Sequence, residues 1–103
     1  MPGLVPVVRG IDELICSLLP DPQFALKWSK AHYGLAELGW LVEFAAYHSS
    51  ANVVFFAGAD LSPPPPLGTV GTARYAKLHR LEDLQDPQLA NWIEQVAPLP
   101  GWR

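Results

Sequence analysis

The chain has 103 residues, half of them hydrophobic and 17% charged, and this composition predicts one folded domain and excludes a largely disordered chain. Its net charge of −3 provides no overall positive field, so neither nucleic acid nor an anionic membrane surface is expected as a partner. Because there is a single cysteine, Cys16, and no uninterrupted apolar run of membrane-spanning length, we expect a bacterial, cytoplasmic protein without internal disulfides.

The first predicted element is a helix. Apolar residues recur at helical spacing over 11–19, directly after Gly10, and Pro20 ends the run. Residues 1–8 are then expected to form a mobile N-terminal arm. Because Cys16 falls within the apolar pattern, it is interpreted as a buried small hydrophobe rather than as a nucleophile.

The octad DPQFALKW, residues 21–28, predicts a short strand. Its large apolar residues, Phe24, Leu26 and Trp28, alternate with small or charged residues, which is typical of a strand with one buried face. A helix remains as the alternative, because Trp28 also shares a helical face with the apolar residues three and seven positions further on.

Residues 40–57 predict a β-hairpin. The apolar residues at 40, 42, 44 and 46 alternate with the mixed set at 41, 43, 45 and 47, and 53–57 is a short β-branched and aromatic run. Between them, the sequence HSSAN supplies turn-forming residues. Glu43 in the first of these strands is interpreted as a solvent-facing charge rather than as a catalytic acid.

A long loop, residues 58–71, follows the hairpin. Its four consecutive prolines, residues 63–66, have no backbone N–H for a sheet ladder and predict an extended segment that stiffens the connection. Docking of these prolines on an aromatic groove of a partner is the alternative. Residues 74–79 are predicted to form a fourth strand.

The octad DPQLANWI, residues 86–93, shares its first letters with the earlier octad but predicts a helix. Its apolar residues recur at i, i+3, i+4 and i+7, Asp86 is a good cap, and Pro98 ends a helix of about 86–97. Residues 98–103 form the predicted tail. Helices at both ends of an antiparallel sheet of about four short strands predict a single α+β domain over the whole chain.

Two longer runs carry their motifs in a recognisable order. Residues 53–93 contain an apolar strand, a Gly-x-x-Leu turn, a proline-containing loop, a glycine-rich step, a basic strand and a helix start that reads Leu-x-(acidic)-Pro-x-Leu. Residues 15–34, ICSLLPDPQFALKWSKAHYG, contain a helix, a Pro-Asp turn, a strand ending in Lys-Trp and a later Tyr. Together they resemble the YdhG-like family of small bacterial domains over nearly the whole chain. The resemblance implies an α+β fold with an antiparallel sheet.

The same resemblance singles out basic and aromatic positions as a candidate ligand site. They are Lys27, Trp28, Tyr33, Arg74 and Lys77. The cations can converge on one anionic group while the rings stack on the apolar part of a small ligand. The alternative is that the rings pack at the edge of the core and the cations face water. This chain departs from the family at Gly71, where a lysine is usual, and at Tyr75, where a histidine is common, and both changes count against anion binding.

Some members of that family are described as frataxin-like iron chaperones, which makes iron carriage an alternative function. Iron sites prefer clusters of carboxylates and imidazoles. The densest candidates lie near the second helix: His79, Glu82, Asp83, Asp86 and Glu94. Because Asp86 is interpreted as a helix cap and its acidic neighbours as solvent-facing, no metal site is predicted from the residues themselves. His32, Glu43 and His48 fall in separate elements.

The sequence therefore predicts a non-enzymatic binding domain of unknown ligand, with a small-molecule or anion-binding surface and no cofactor. It contains no Gly-x-Ser-x-Gly motif, and its glycine-rich step lacks the lysine of a nucleotide-binding loop. Iron carriage is one alternative. A homo-oligomeric interaction protein is another, because the chain has many large apolar groups for a small core. These are Trp40, Phe55, Phe56, Trp92 and Trp102.

Overall fold

The computed structural model describes residues 5–19, 21–27, 30–35, 38–47, 50–68 and 71–99, with the backbone alone for Val5, Lys27 and Leu81. Helix α1 spans Val5–Leu18 and helix α2 spans Pro87–Val96. The strands are β1 (Gln23–Lys27), β2 (Lys30–Leu35), β3 (Gly39–Ala46), β4 (Ala51–Phe55) and β5 (Arg74–Leu78). Two short 3₁₀ helices, Gly58–Asp60 and Leu81–Gln85, flank β5 in the chain.

The five strands form one antiparallel meander in the order β1-β2-β3-β4-β5, so β1 and β5 are its two edges. Helices α1 and α2 contact each other and share one buried core with the sheet. Ile11 and Ile15 of α1 and Ile93 and Val96 of α2 are fully buried in that core. Neither described helix has the length and apolar character needed to cross a membrane.

The predicted α+β domain with an antiparallel sheet is confirmed, and the sheet has five strands rather than about four. The strand predicted in the first octad is confirmed as β1, so the helical alternative is wrong. The predicted hairpin is confirmed as β3 and β4, and the fourth predicted strand is β5. The second octad forms α2, and the carboxylate of Asp86 accepts a hydrogen bond from the Gln88 N–H at 2.9 Å, as a cap does.

Two predictions for the N-terminal region are wrong. Residues 5–8 belong to α1 rather than to a mobile arm, because Val7 is an apolar residue that packs into the core. Cys16 is exposed rather than buried, because the core face of α1 is formed by Ile11 and Ile15, one helical turn apart. At the other end, Leu99 of the predicted tail packs against the core, and 100–103 lie outside the described residues.

A bulge between β2 and β3 changes which residues of β3 reach the core. Tyr33 pairs with Val42 and Gly34 pairs with Trp40, so Leu41 is the extra residue of β3. Leu41 and Val42 are both buried, whereas simple alternation would place them on opposite faces. The bulge leaves the Trp40 ring against His32, 6.0 Å away between ring centroids.

The proline segment, residues 63–66, is anchored to the domain at both ends. The indole N–H of Trp92 on α2 donates to the Pro63 carbonyl at 2.6 Å. Directly after the prolines, Leu67 and Tyr75 exchange two backbone hydrogen bonds of 3.1 and 2.9 Å along the outer edge of β5. The loop therefore protects part of this edge of the sheet, as natural β-proteins commonly do.

Candidate binding site

The five positions singled out by resemblance do not form one site. Lys27 ends β1, whereas Arg74 and Lys77 belong to β5, and these two strands are opposite edges of the sheet. Four strand spacings separate the edges by roughly 19 Å. The prediction of a single anion-binding cluster is therefore wrong, because strand order keeps its cations apart. A contact of any one of them with a ligand stays a prediction.

The two cations of β5 differ in their surroundings. The guanidinium of Arg74 donates to the carbonyls of Gly71 at 3.0 Å and Ala73 at 2.8 Å, so it is held by its own turn. Lys77 is exposed on the sheet face opposite to the helices. Arg74 and Lys77 are therefore not placed so that both could bind the same anion.

Of the other three positions, Trp28 and the side chain of Lys27 lie outside the described residues. Tyr33 is well described: it points to the helix-covered face, and its side chain is only 1% exposed. It is the one described residue of the predicted set that lines a cavity next to α1.

That cavity is a groove of about 480 Å³ between α1 and the first three strands, which we call the α1–β1 groove. Its volume lies within the range of about 300–1,000 Å³ that is common for small-molecule sites. The lining is mainly apolar and includes Val8, Phe24, Leu26, Ala31, Tyr33 and Phe44. The groove therefore resembles a binding cleft in both size and chemistry.

The outer wall of the α1–β1 groove consists of large apolar side chains in contact with water. Phe24 and Leu26 of β1 are 56% and 71% exposed. Both lie on the same side of the strand, because residues two apart share a face. Since β1 is an edge strand at the border of the helix layer, its apolar face is only partly covered. The ring of Phe24 packs edge to face against the ring of Tyr33, with 5.3 Å between the ring centroids, and this contact forms the inner end of the wall.

A hydrogen bond between Tyr33 and Asp12 supplies the main polar feature of the groove. The Tyr33 hydroxyl donates to Asp12 Oδ1 at 2.5 Å. Burial, followed by the hydrogen bond to the Asp12 carboxylate, raises the pKa of Tyr33 far above its ordinary value. The phenol is therefore a permanent donor at physiological pH, and it orients the carboxylate of Asp12 at the groove.

The charged residues that line the groove are all on α1. They are one cation, Arg9, and two carboxylates, Asp12 and Glu13. The excess of carboxylates favours a ligand end that is positively charged or donates hydrogen bonds. This electrostatic preference is opposite to the anion-binding surface expected from the sequence.

Replacing Tyr33 by phenylalanine is expected to lower the free energy of unfolding by about 2 kcal/mol, because a half-buried carboxylate loses a charge-assisted donor. The pH dependence should also change. Since the pKa of Tyr33 is raised by folding, its contribution is complete below the ordinary tyrosine pKa and is lost as the pH rises above it. Urea denaturation from pH 7 to 11 should therefore show a shallower alkaline loss in the variant.

The matched control for Tyr33→Phe is Tyr47→Phe. Tyr47 is an exposed tyrosine that directly follows β3, and it has no such carboxylate partner among the described residues. It should change stability by less than about 0.5 kcal/mol. Equal stability of Tyr33→Phe and the parent chain at pH 7 would contradict the assigned role of the Asp12 hydrogen bond.

A polar cluster lies on the sheet face that neither described helix covers. His32 is 1% exposed, and its Nε2 is 3.3 Å from Glu43 Oε2, while Lys30 Nζ is 3.6 Å from the other oxygen. The rings of Trp40 and Phe56 flank the imidazole at 6.0 and 6.1 Å. Glu43 is therefore a paired and largely buried charge rather than the solvent-facing one predicted. Only the register of β2 against β3 reveals this pairing.

Two of the acidic residues near α2, Asp83 and Asp86, accept hydrogen bonds from backbone N–H groups. A cleft of about 550 Å³ beside β5 is lined by Glu82, Asp83 and Asp86. Asp83 accepts hydrogen bonds from the backbone N–H groups of His79 at 2.8 Å and Arg80 at 3.2 Å. These hydrogen bonds, chiefly the one from His79, hold the pKa of Asp83 below its ordinary value. Asp86 caps α2 as described above. Across the described ranges, no three potential metal-ligating side chains lie together.

The exposed thiol of Cys16 is not activated. Partial burial, followed by the nearby charge of Asp12, raises its pKa above the ordinary value. A raised pKa keeps the thiol protonated and lowers its nucleophilicity. That Cys16 is not a nucleophile stays a prediction: the burial on which it was based is wrong, and the raised pKa of the thiol now supports it instead.

Asp12 is the residue of the groove that sequence reasoning misses. It lies one helical turn before Cys16, between the core residue Ile11 and the exposed Glu13, so the pattern of α1 marks it only as a polar position. The large residues that alternate in β1 are visible in the sequence, but their exposure is not.

Comparison of the chain with protein-family models, with curated proteins and with solved structures finds no match.

Proposed function

We propose that the protein is a non-enzymatic binding domain whose α1–β1 groove takes a small molecule with an apolar body and a positively charged or hydrogen-bond-donating end. The observation that carries the proposal is a cavity of about 480 Å³ with apolar walls and one oriented carboxylate, Asp12. Sites of this kind combine apolar burial, which supplies affinity, with a few fixed polar groups, which supply orientation.

Each part of the groove has a distinct role in this proposal. Phe24 and Leu26 are the exposed apolar surface that a ligand would remove from water, at about 25 cal/mol per Å². Asp12 would accept a hydrogen bond from the polar end of the ligand, while Tyr33 holds the carboxylate in place. Glu13 would strengthen the preference for a cationic end, and Arg9 would oppose it.

Membership of the YdhG-like family remains part of the proposal, on the strength of the motif order over 15–34 and 53–93. The iron-chaperone role described for some members is less favoured for this chain. The described residues hold no cluster of metal-ligating side chains, and two of the acidic candidates are hydrogen-bonded to backbone amides.

The test is isothermal titration calorimetry with two probes that share a phenylethyl body, phenethylamine and phenylpropionate. The amine should bind, and the carboxylate should bind at least about tenfold more weakly, a difference of about 1.4 kcal/mol. Asp12→Asn should weaken binding of the amine by a similar factor, because it removes the negative charge and keeps the shape of the side chain.

The control variant is Glu94→Gln, which removes an exposed carboxylate from α2, away from the groove. It should leave amine binding unchanged. Thermal melts of both variants establish that they are folded. Equal binding of the two probes, or no binding of either at millimolar concentration, would refute the proposed site.

A further inference from the structure

The two edge strands of the sheet, β1 and β5, differ in how much of their outer edge is covered by other parts of the chain. The outer edge of β5 is partly occupied by Leu67, which exchanges two backbone hydrogen bonds with Tyr75. Within the part of the chain that the structure describes, no segment pairs with the outer edge of β1. An edge strand left open in this way presents unpaired N–H and C=O groups to any extended chain.

β1 also lacks the features that usually prevent pairing at an edge. Its sequence, QFALK, contains no proline, its ladder with β2 has no bulge over Gln23–Lys27, and its only charge is at the end. Two large apolar residues, Phe24 and Leu26, are more than half exposed on one face of it. The open backbone edge and the exposed apolar side chains therefore coincide on the same strand.

We propose that β1 pairs antiparallel with β1 of a second copy of this chain, which joins two five-stranded sheets into one continuous sheet. The inference does not rest on the proposed ligand, because it concerns the outer edge of β1 rather than the interior of the groove. In such a dimer, each groove would border the second copy at its lining residues Phe24 and Leu26.

A second copy is the occupant that the sequence of β1 matches. A two-fold axis through Ala25 places Phe24 of one copy opposite Leu26 of the other, and Gln23 opposite Lys27. Every apolar residue then faces an apolar one, and no like charges are opposed.

Sedimentation equilibrium over a concentration series tests the association. The parent chain should approach twice its 11.3 kDa mass as its concentration rises. The double variant Phe24→Lys with Leu26→Lys should raise the dimer dissociation constant at least about tenfold, because lysines are then opposed across the axis.

A second double variant tests the register directly. Phe24→Glu with Leu26→Lys removes the same apolar side chains, but it places a carboxylate at position 24 opposite an ammonium at position 26 of the mate. It should associate at least about tenfold more tightly than the double-lysine variant. Because both positions are exposed in the single chain, both variants should keep the fold, which circular dichroism melts can establish.

Tyr47→Lys is the control for a nonspecific effect of removing an exposed apolar group, since Tyr47 is 48% exposed and lies outside β1. It should leave the dissociation constant unchanged. A parent chain that stays monomeric up to millimolar concentration overturns the proposal, and so does equal association of the two double variants.

Discussion

Replacing Trp92 by alanine is expected to lower the free energy of unfolding by about 4 kcal/mol, within the range for large aromatic side chains removed from a core. The indole is 8% exposed, and its ring lies 5.8 Å from that of Phe55 on β4. Its N–H also donates to the Pro63 carbonyl at 2.6 Å. One side chain therefore holds α2 against the sheet and the proline segment against α2.

Trp92→Phe separates these two contributions. Phenylalanine keeps most of the ring contact with Phe55 but cannot donate to Pro63, so it should cost about 1–2 kcal/mol, an intermediate value. Urea denaturation followed by circular dichroism measures both variants. If Trp92→Ala and Trp92→Phe cost the same, the packing role assigned to the indole is wrong.

The proline segment illustrates how far sequence reasoning extends. Four consecutive prolines predict a stretch that cannot join a sheet ladder, and 63–66 indeed lie outside all strands. The sequence does not reveal that the flanking residue Leu67 covers the edge of β5 or that Trp92 reaches Pro63. Both contacts join residues far apart in the chain, and local composition carries no information about them.

Elements with a clean periodicity are predictable for a physical reason. α2 has one buried face and β1 has one apolar side, so the spacing of their hydrophobic residues follows the geometry of helix and strand. β2 has no such pattern, because its residues 31–34 are all buried, on both faces of the sheet. Its outward face is covered by aromatic rings rather than water, which removes the alternation that would reveal a strand.

The candidate site depends on strand order, which periodicity cannot supply. The predicted grouping of Lys27 with Arg74 fails because these residues occupy opposite edges of the sheet. Tyr33 belongs to the groove, but its partner Asp12 comes from α1, 21 positions earlier in the chain. Types of residue suitable for a site can therefore be recognised from the sequence, whereas their assembly follows from the tertiary fold.

The bulge that shapes β3 leads to the second large stability prediction, for Gly34→Ala. A Cβ at position 34 would lie 2.2 Å from the Gly39 carbonyl oxygen and 2.9 Å from Trp40 Cα. Both are backbone atoms of the facing strand, so neither can turn away as a flexible side chain would. We expect a loss of about 3 kcal/mol, at the upper end of the cost of inserting a methyl group into a packed interior.

Gly71→Ala is the matched control for Gly34→Ala, because it tests a glycine needed for its backbone conformation alone. Gly71 has φ of +64°, and a Cβ there would meet no atom of the described residues within 4 Å. Alanine at that position should cost about 1 kcal/mol, through the left-handed backbone. Thermal unfolding should therefore show a clearly larger drop in Tm for Gly34→Ala. Equal drops would mean that β2 and β3 can separate at the bulge without loss, and the burial of both Leu41 and Val42 would then need another cause.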